Sequence, residues 1–423
     1  MSLLALPLLA FLSIFLTPTT AVSSSTLQLA RSHSVTPNAG APLSAWAASV
    51  AAQSAADTAR IVSMLTSGAG PLTTRAKPKP KNRANPPVPI APGRQILSIP
   101  NYIARAGLGT PAQTLLVAID PSNDAAWVPC SACAGCAASS PSFSPTQSST
   151  YRTVPCGSPQ CAQVPSPSCP AGVGSSCGFN LTYAASTFQA VLGQDSLALE
   201  NNVVVSYTFG CLRVVNGNSR AAAGAHRLRP RAALLLVADQ GHLGPIGQPK
   251  RIKTTPLLYN PHRPSLYYVN MIGIRVGSKV VQVPQSALAF NPVTGSGTII
   301  DAGTMFTRLA APVYAAVRDA FRGRVRTPVA PPLGGFDTCY NVTVSVPTVT
   351  FMFAGAVAVT LPEENVMIHS SSGGVACLAM AAGPSDGVNA ALNVLASMQQ
   401  QNQRVLFDVA NGRVGFSREL CTA

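Results

Sequence analysis

Two aspartates in the chain share one local pattern, and this pattern is suited to acid–base chemistry. Asp120 follows the apolar run 116–119 and Asp301 follows the apolar run 298–300, and each aspartate opens a turn of small residues. A charged group at the end of a buried strand is costly unless it is hydrogen-bonded or reactive. A capping role is the usual explanation of one such aspartate, but the repetition 181 positions later favours a paired reactive site.

Two such turns that meet at an interface would place their carboxylates side by side. Like charges at that distance cannot both ionise, so the pair shares one proton. The ionised partner can take a proton from water, and the protonated partner can polarise a carbonyl group. Asp120 and Asp301 are therefore the candidate catalytic residues of a hydrolase that needs no metal, no cofactor and no covalent intermediate.

The elements that position these aspartates are predicted to be strands. The chain is 47% hydrophobic and holds 33 glycines and 37 prolines, which favours many short strands joined by turns. The strand candidates are 115–119, 203–209, 267–276, 298–300, 346–353 and 404–409, and the helical patterns cover 312–321 and about 394–403. We expect an all-β architecture with a few short helices.

The N-terminal hundred residues have the pattern of a secreted precursor. Residues 1–16 are apolar and small residues follow up to Ala21, which indicates a signal peptide over 1–21. An Ala-rich helix is predicted over 41–66, and a basic, Pro-rich linker follows at 75–92. We interpret 22–96 as a propeptide, with a simple spacer as the alternative. The sequons at Asn180 and Asn341 are candidate glycosylation sites that agree with secretion.

Cysteine usage also points to the secretory route. Seven of the eleven cysteines lie between Cys130 and Cys177. The spacing of Cys130, Cys133 and Cys136 also suits a metal or an iron–sulfur cluster, but an oxidising compartment favours disulfides, and we expect no metal. The disulfide candidates are Cys130, Cys133, Cys136, Cys156, Cys161, Cys169, Cys177, Cys211, Cys339 and Cys377.

The formal charge of +15 is local, so it does not indicate nucleic-acid binding. Residues 1–100 carry eight basic residues and one acid, and residues 220–253 carry seven basic residues and one acid. Neither patch has interleaved aromatic residues. No stretch is long enough for a membrane helix. The sequence Gly383-Pro-Ser-Asp-Gly387 fits a serine-hydrolase elbow only by chance, because a proline interrupts it inside a polar loop.

The chain resembles the pepsin-fold aspartic proteases, and in particular the nepenthesin-like plant enzymes. The resemblance runs from about Asn101 to Cys421 and includes 108–113 before the first aspartate, 127–130 after it, the cysteine-rich insert and the closing segment 393–408. It implies a bilobal protein with an N-terminal lobe over 97–253, a C-terminal lobe over 254–423 and a peptide cleft between them. It further implies an endopeptidase active at acid pH, with Tyr183 as the flap tyrosine and a disulfide between Cys339 and Cys377.

These implications extend to partners and location. We expect a polypeptide substrate, no nucleic acid or membrane partner, a monomer, and secretion to the apoplast or cell wall.

The active-site turns depart from the pattern of this family. The family has Asp-Thr/Ser-Gly twice, whereas this chain has Asp120-Pro121-Ser122 and Asp301-Ala302-Gly303. Both hydroxyls that would hydrogen-bond across to the opposite loop are missing. Ser122, Asn123, Gly303 and Thr304 are the remaining candidates for turn support, with Thr304 able to donate to Asp301. The lost hydroxyls favour the alternative of a catalytically impaired binding protein similar to xylanase inhibitors.

Residues 220–242 do not fit the family. Where relatives have a glycine-rich interior strand, this segment is rich in Ala, Arg and Leu, as a GC-rich coding region read out of frame would be. A genuine basic insertion that binds anionic polysaccharide is the alternative. Without that strand we expect an exposed seam beside Asp120. The family's Tyr-Cys element is missing too, which is expected to leave Cys421 without a partner.

Overall fold

The computed structural model describes most of the two predicted lobes and parts of the N-terminal region. The described residues are 26–28, 42–66, 90–92, 102–120, 126–136, 141–164, 167–170, 174–183, 186–199, 202–217, 225–227, 252–370, 374–385 and 391–418. The signal-peptide prediction, the segments 220–224 and 228–242, and Cys421 lie outside them.

The described residues of the N-terminal half form one long helix, eleven strands and two short 3-10 helices. Helix α1 is Leu43–Thr66. The strands are β1 Thr26–Gln28, β2 Ile90–Pro92, β3 Tyr102–Leu108, β4 Gln113–Asp120, β5 Trp127–Ala134, β6 Arg152–Thr153, β7 Pro167–Ser168, β8 Gly178–Tyr183, β9 Ser186–Leu199, β10 Asn202–Asn216 and β11 Ala225–Arg227.

The described residues of the C-terminal half add fifteen strands and two further α-helices. The strands are β12 Lys253–Leu258, β13 Tyr267–Val269, β14 Met271–Val276, β15 Lys279–Val280, β16 Gly297–Ile300, β17 Thr307–Leu309, β18 Cys339–Tyr340, β19 Val349–Phe353, β20 Val357–Thr360, β21 Met367–His369, β22 Ala376–Leu378, β23 Met380–Ala382, β24 Leu392–Leu395, β25 Gln403–Asp408 and β26 Arg413–Arg418. The helices are α2 Ala311–Arg322 and α3 Ser397–Gln400. This mostly-β, bilobal architecture confirms the predicted fold class.

The sheet of the N-terminal lobe carries the first aspartate on an interior strand. Its main path is β11-β4-β3-β9-β10-β5. Strand β4 pairs antiparallel with β3 and parallel with β11, so that Arg227 lies opposite Asp120. Burial in β9 alternates along the strand, as expected where one face packs on the core.

The C-terminal lobe repeats this local arrangement. Strand β16, which leads into Asp301, pairs antiparallel with β13 and parallel with β24. All four residues of β16 and of β24 are buried, because both strands lie inside the nine-stranded sheet β1-β25-β26-β12-β13-β16-β24-β17-β23. Each aspartate is therefore held by a strand with partners on both sides, which fixes the start of its turn.

Several sequence predictions need correction. The predicted strand 267–276 is two strands, β13 and β14, with Asn270 between them. The helix predicted over about 394–403 is confined to α3, because the preceding apolar run is buried in the sheet as β24. The predicted linker 75–92 includes a short strand at its end, since β2 pairs with β3.

The N-terminal lobe also differs from the expected seam beside Asp120. Strand β11, which falls within the segment that does not fit the family, pairs parallel with β4. This position on β4 corresponds to that of β24 on β16 in the other lobe. Asp120 is completely buried.

Five disulfides join the ten candidate cysteines. The pairs are Cys130–Cys211, Cys133–Cys136, Cys156–Cys169, Cys161–Cys177 and Cys339–Cys377. The sulfurs of Cys156, Cys161 and Cys169 lie within 4.8 Å of one another. Each of these sulfurs belongs to a disulfide, so the cluster has no free thiolate to offer a metal.

Helix α1 confirms the helix predicted over 41–66, but it is not an isolated element. Its buried residues, which include Trp46, Val50, Ser54 and Asp57, fall three or four positions apart and form one face. This face packs on the C-terminal lobe, where Trp46 and Val50 join a core cluster with Phe306 and others. Among the helices in the described part of the chain, none has the length and apolarity required to cross a bilayer.

Candidate active site

Asp120 and Asp301 come together at the centre of the molecule. Asp120 is the last residue of β4 and Asp301 directly follows β16, and neither side chain is exposed to solvent. The Nη2 atom of Arg60 lies 2.6 Å from Asp120 Oδ1 and 3.1 Å from Asp301 Oδ1. One nitrogen atom thus contacts both carboxylates, which makes them a pair.

The turn after Asp301 holds its carboxylate in place by hydrogen bonds. The backbone N–H of Gly303 donates to Oδ1 at 3.0 Å, and the backbone N–H of Thr304 donates to Oδ2 at 2.9 Å. The Thr304 hydroxyl donates to the same Oδ2 at 2.5 Å. Ala302 is buried and offers no hydroxyl, so these three donors provide the local support.

Gly303 allows the two aspartates to approach each other. A Cβ atom at this position would lie 2.6 Å from Asp120 Oδ1 and 2.3 Å from Arg60 Nη2. These distances are far below van der Waals contact, so a side chain at this position would displace Arg60, the carboxylate of Asp120, or both. The glycine at this place is therefore required by the close approach of the two turns rather than by its own backbone angles.

Arg60 of helix α1 fills the space between the carboxylates. Its Nη1 and Nη2 atoms donate to the two oxygens of Asp120, and its Nε atom donates to Asp301 Oδ2 at 3.2 Å. Arg60 is itself only 5% exposed. A planar guanidinium suits this double recognition, because its donors are fixed in a fork that matches carboxylate oxygens.

This arrangement determines the charge state of Asp301. Burial acts to raise the pKa of its carboxyl, but the positive charge and hydrogen bonds of Arg60, with the donors of Thr304 and Gly303, hold the pKa below its ordinary value. While the helix is in place, both the charge of Arg60 and the surrounding donors favour the ionised carboxylate. The guanidinium of Arg60 occupies the space between the two carboxylates.

A second group of polar contacts anchors α1 one turn before Arg60. Asp57 accepts hydrogen bonds from the backbone N–H groups of Met305 and Phe306, and its Oδ1 atom also accepts from Gln53. Burial raises the pKa of Asp57, while the charge of Arg308 and these hydrogen bonds oppose that rise. The helix is thus fixed to the loop that directly follows the Asp301 turn.

The remaining predicted site residues have different outcomes. Ser122 and Asn123 lie outside the described residues, so their predicted support of Asp120 stays a prediction. Tyr183 is the last residue of β8, which pairs with β9 in a hairpin, and the position of its side chain is not described. Asn180 and Asn341 are both exposed, as a glycosylation site requires.

Arg60 and Asp57 were not among the site residues predicted from the sequence. The signal that was available is their spacing of three within an Ala-rich helix, which puts both charged groups on one face. An uninterrupted apolar stripe would have been expected for a helix that simply packs on a core. Two opposite charges in that stripe indicate specific partners on the surface the helix covers.

Comparisons with known proteins agree with this geometry. The models of the xylanase inhibitor N-terminal and C-terminal families match residues 102–228 and 266–418. Aspartyl protease 25 of Oryza sativa subsp. japonica is 41% identical over 374 residues, which cover 79% of this chain and 84% of the relative. Aspartic proteinase nepenthesin-1 of Nepenthes gracilis is 30% identical over 352 residues, covering 76% of this chain and 78% of the relative.

A solved structure supports the fold independently. The crystal structure of edgp superposes with a TM-score of 0.61 at 19% sequence identity, and the match covers 81% of this chain and 97% of that chain. At this identity the likeness concerns the fold, which is the bilobal β architecture described above.

Proposed function

The chain belongs to the pepsin-like aspartic proteases of plants, and from this premise we propose that it is a catalytically competent endopeptidase that is secreted as a latent precursor. One observation carries the proposal. Two fully buried carboxylates, brought together from two lobes, share the guanidinium of Arg60. Buried charges persist only when they are paired or functional, and this pair is neutralised by a helix that precedes both lobes.

The chemistry follows once the helix has left. Without Arg60, two adjacent carboxylates cannot both stay ionised, so Asp120 and Asp301 share one proton. The ionised member takes a proton from a water molecule, which attacks the carbon of the peptide carbonyl. The protonated member gives its proton to the carbonyl oxygen, which yields a neutral tetrahedral diol. The diol collapses when the first member passes the proton it took from water to the amide nitrogen, the C–N bond breaks, and the other member takes a proton back from a diol hydroxyl. The donors of Gly303 and Thr304 hold Asp301 in position during this step.

The proposed precursor has four parts. Residues 1–21 are the signal peptide, 22–96 the propeptide, 97–253 the N-terminal lobe and 254–423 the C-terminal lobe. The propeptide assignment is supported by α1, because a helix whose arginine neutralises both aspartates prevents substrate from reaching them. Secretion to the apoplast or cell wall as a glycosylated monomer, with glycans at Asn180 and Asn341, completes the proposal.

A second candidate function is a binding protein of the same fold that has lost catalysis. It is favoured by Ala302, which is buried beside the dyad where the family places a hydroxyl. The matching family models are also described as xylanase inhibitors. In this case the cleft would bind a protein without hydrolysing it.

One experiment separates the two candidates. The full chain is expressed, cut within the linker and assayed at acid pH with a casein or fluorogenic peptide substrate, with and without pepstatin. A pepstatin-sensitive protease activity supports the proposal. A folded chain that is freed of α1, binds pepstatin and cleaves nothing supports the binding protein instead.

A further inference from the structure

A carboxylate-binding site lies next to the dyad, on the loop that follows Asp301. In the structure its occupant is Asp57 of helix α1. Asp57 Oδ1 accepts from the backbone N–H of Met305 at 3.0 Å, and Asp57 Oδ2 accepts from the backbone N–H of Phe306 at 2.9 Å. Two consecutive N–H groups therefore bind one carboxylate in a bidentate manner, which is a charge-assisted and geometrically specific mode of recognition.

Arg308 supplies the positive charge of this site. It is only 4% exposed, and its Nη2 atom donates to the carbonyl oxygen of Ser54 at 2.9 Å and to the Ser54 hydroxyl at 2.7 Å. The Nε atom is buried and has no hydrogen-bond partner among the described residues. The carboxylate of Asp57 is an electrostatic partner of Arg308. The strongest partners of this guanidinium thus lie on the helix rather than on the lobe to which it belongs.

Departure of α1 removes these partners together. Met305 and Phe306 would then present two free N–H groups, and Arg308 would lose both Ser54 contacts and the charge of Asp57. Among the described residues of the lobe, Arg308 keeps the hydrogen bond from its Nη1 atom to the carbonyl oxygen of Ala382, at 3.5 Å, and its electrostatic contact with Tyr314. A largely enclosed guanidinium that has lost its counter-charge favours an anionic replacement.

We propose that Met305, Phe306 and Arg308 form a substrate subsite that selects an acidic side chain, glutamate or aspartate, in the polypeptide to be cleaved. This proposal rests on the proposed endopeptidase function. Asp57 precedes Arg60 by three residues, which is about 4.5 Å along a helix. An extended peptide rises about 3.3 Å per residue. With the reach of a side chain included, the selected residue lies within about three positions of the bond that is cleaved.

The test measures binding rather than turnover. The full chain with Asp120→Asn and Arg60→Met is cut in the linker and freed of α1 at acid pH. Fluorescent octapeptides with a central apolar pair carry one Glu or one Gln at each successive position, and their affinities are compared at pH 5.5. We expect Glu to bind about tenfold more tightly than Gln at one position within three residues of the centre, because only the Glu side chain brings a negative charge to Arg308. The factor is only about tenfold because a hydrogen bond to a partly exposed charge contributes less than one to a buried charge.

Two controls make the result specific to this site. Arg308→Met should reduce the Glu preference, because the positive charge is lost while the N–H groups of Met305 and Phe306 remain. Arg308→Lys should keep more of the preference, and measurable binding of the Gln peptide by each variant shows that the cleft is intact. In the chain without the Arg308 change, the preference should vanish as the pH falls through the ordinary pKa of glutamate, about 4.3. Equal binding of Glu and Gln peptides at every position, or a Glu preference that Arg308→Met leaves undiminished, would overturn the subsite.

The subsite and the proposed function fail separately. Glu-selective binding combined with an active-dyad chain that cleaves no peptide contradicts the endopeptidase and leaves the carboxylate site in place. Cleavage with no discrimination between Glu and Gln contradicts the site alone.

Discussion

Replacing Arg60 by methionine should open the cleft of the precursor while the linker is still intact. Methionine keeps much of the side-chain volume and removes the charge and all four N–H···O contacts to Asp120 and Asp301. The dyad can then share a proton, as in a free enzyme. The helix keeps its Asp57 contacts and its apolar face, so it should remain folded but bind more weakly.

The size of the effect follows from the burial of this contact. Breaking a buried ion pair by removing one partner costs about 3–5 kcal/mol. The lower end applies, because proton sharing relieves the two carboxylates that are left. A loss of about 3 kcal/mol weakens the docking of α1 by roughly 150-fold. The fraction of open precursor should rise by the same factor until most of the protein is open.

The assay is the binding of a pepstatin-type inhibitor to the uncut precursor at pH 6, followed by fluorescence anisotropy. The matched control is Arg318→Met, which removes an arginine that pairs at the surface with Asp319 and Asp337. Such exposed pairs contribute at most about 1 kcal/mol. An Arg60→Met precursor that excludes the inhibitor as well as the unchanged chain does would refute the inhibitory role of Arg60.

Acid should produce the same opening in the unchanged precursor. The docked helix holds the pKa of Asp301 below its ordinary value, and Arg60 is a main cause. The ionised carboxylate of Asp301 therefore stabilises the docked helix fully at a pH above the pKa that Asp301 has when the helix is undocked. This stabilisation is lost as the pH falls through the lower pKa that Asp301 has when the helix is docked. Asp57 acts in the opposite sense, because its burial in the docked helix raises its pKa although Arg308 and the N–H groups of Met305 and Phe306 favour the ionised form. Docking therefore takes up a proton at Asp57.

Three further predictions test individual parts of this account. Asp57→Asn should raise the pH at which the precursor opens, since it removes both the bidentate contact and the proton uptake that opposes release of the helix in acid. An unchanged midpoint in a pH titration of inhibitor binding would contradict this. Gly303→Ala should lower kcat by at least about 100-fold without unfolding the chain, because the new Cβ displaces Asp120, and activity within a factor of three of the parent would show that the turns tolerate the change. Pro121→Thr with Ala302→Ser should raise kcat, because it restores hydroxyls that can hydrogen-bond between the two turns; no gain would mean that the missing hydroxyls do not limit the reaction.

The fold was largely predictable because its signals are local. Apolar runs that end in an aspartate and a small-residue turn mark buried strands, and both such strands are found where expected, as β4 and β16. The helix of the N-terminal region was equally clear, because alanine has the highest helix propensity and the segment is bounded by proline and glycine. Boundaries near β24 and α3 were wrong where burial of an apolar run prevailed over a helical pattern.

The site was predictable only in part. The dyad was found because its pattern is repeated, whereas Arg60, Asp57 and Arg308 have no local signature of function. Arg60 and Asp301 are 241 positions apart, and Arg308 and Ser54 are 254 positions apart. Contacts of that separation are set by where a helix docks, and the composition of the helix does not reveal the surface it covers. The segment after β10 shows the same limit, since the pairing of β11 with β4 has no counterpart in its residue pattern.

The central claim is that Asp120 and Asp301 together activate water for peptide hydrolysis. The most direct measurement is the rate of cleavage of a fluorogenic peptide between pH 3 and 6 by the linker-cut chain and by its Asp120→Asn and Asp301→Asn variants. Each variant should lose at least about 1,000-fold in kcat while it is still secreted and folded, because the two carboxylates have different protonation roles and neither replaces the other. Cleavage by either variant at the rate of the parent would contradict the account.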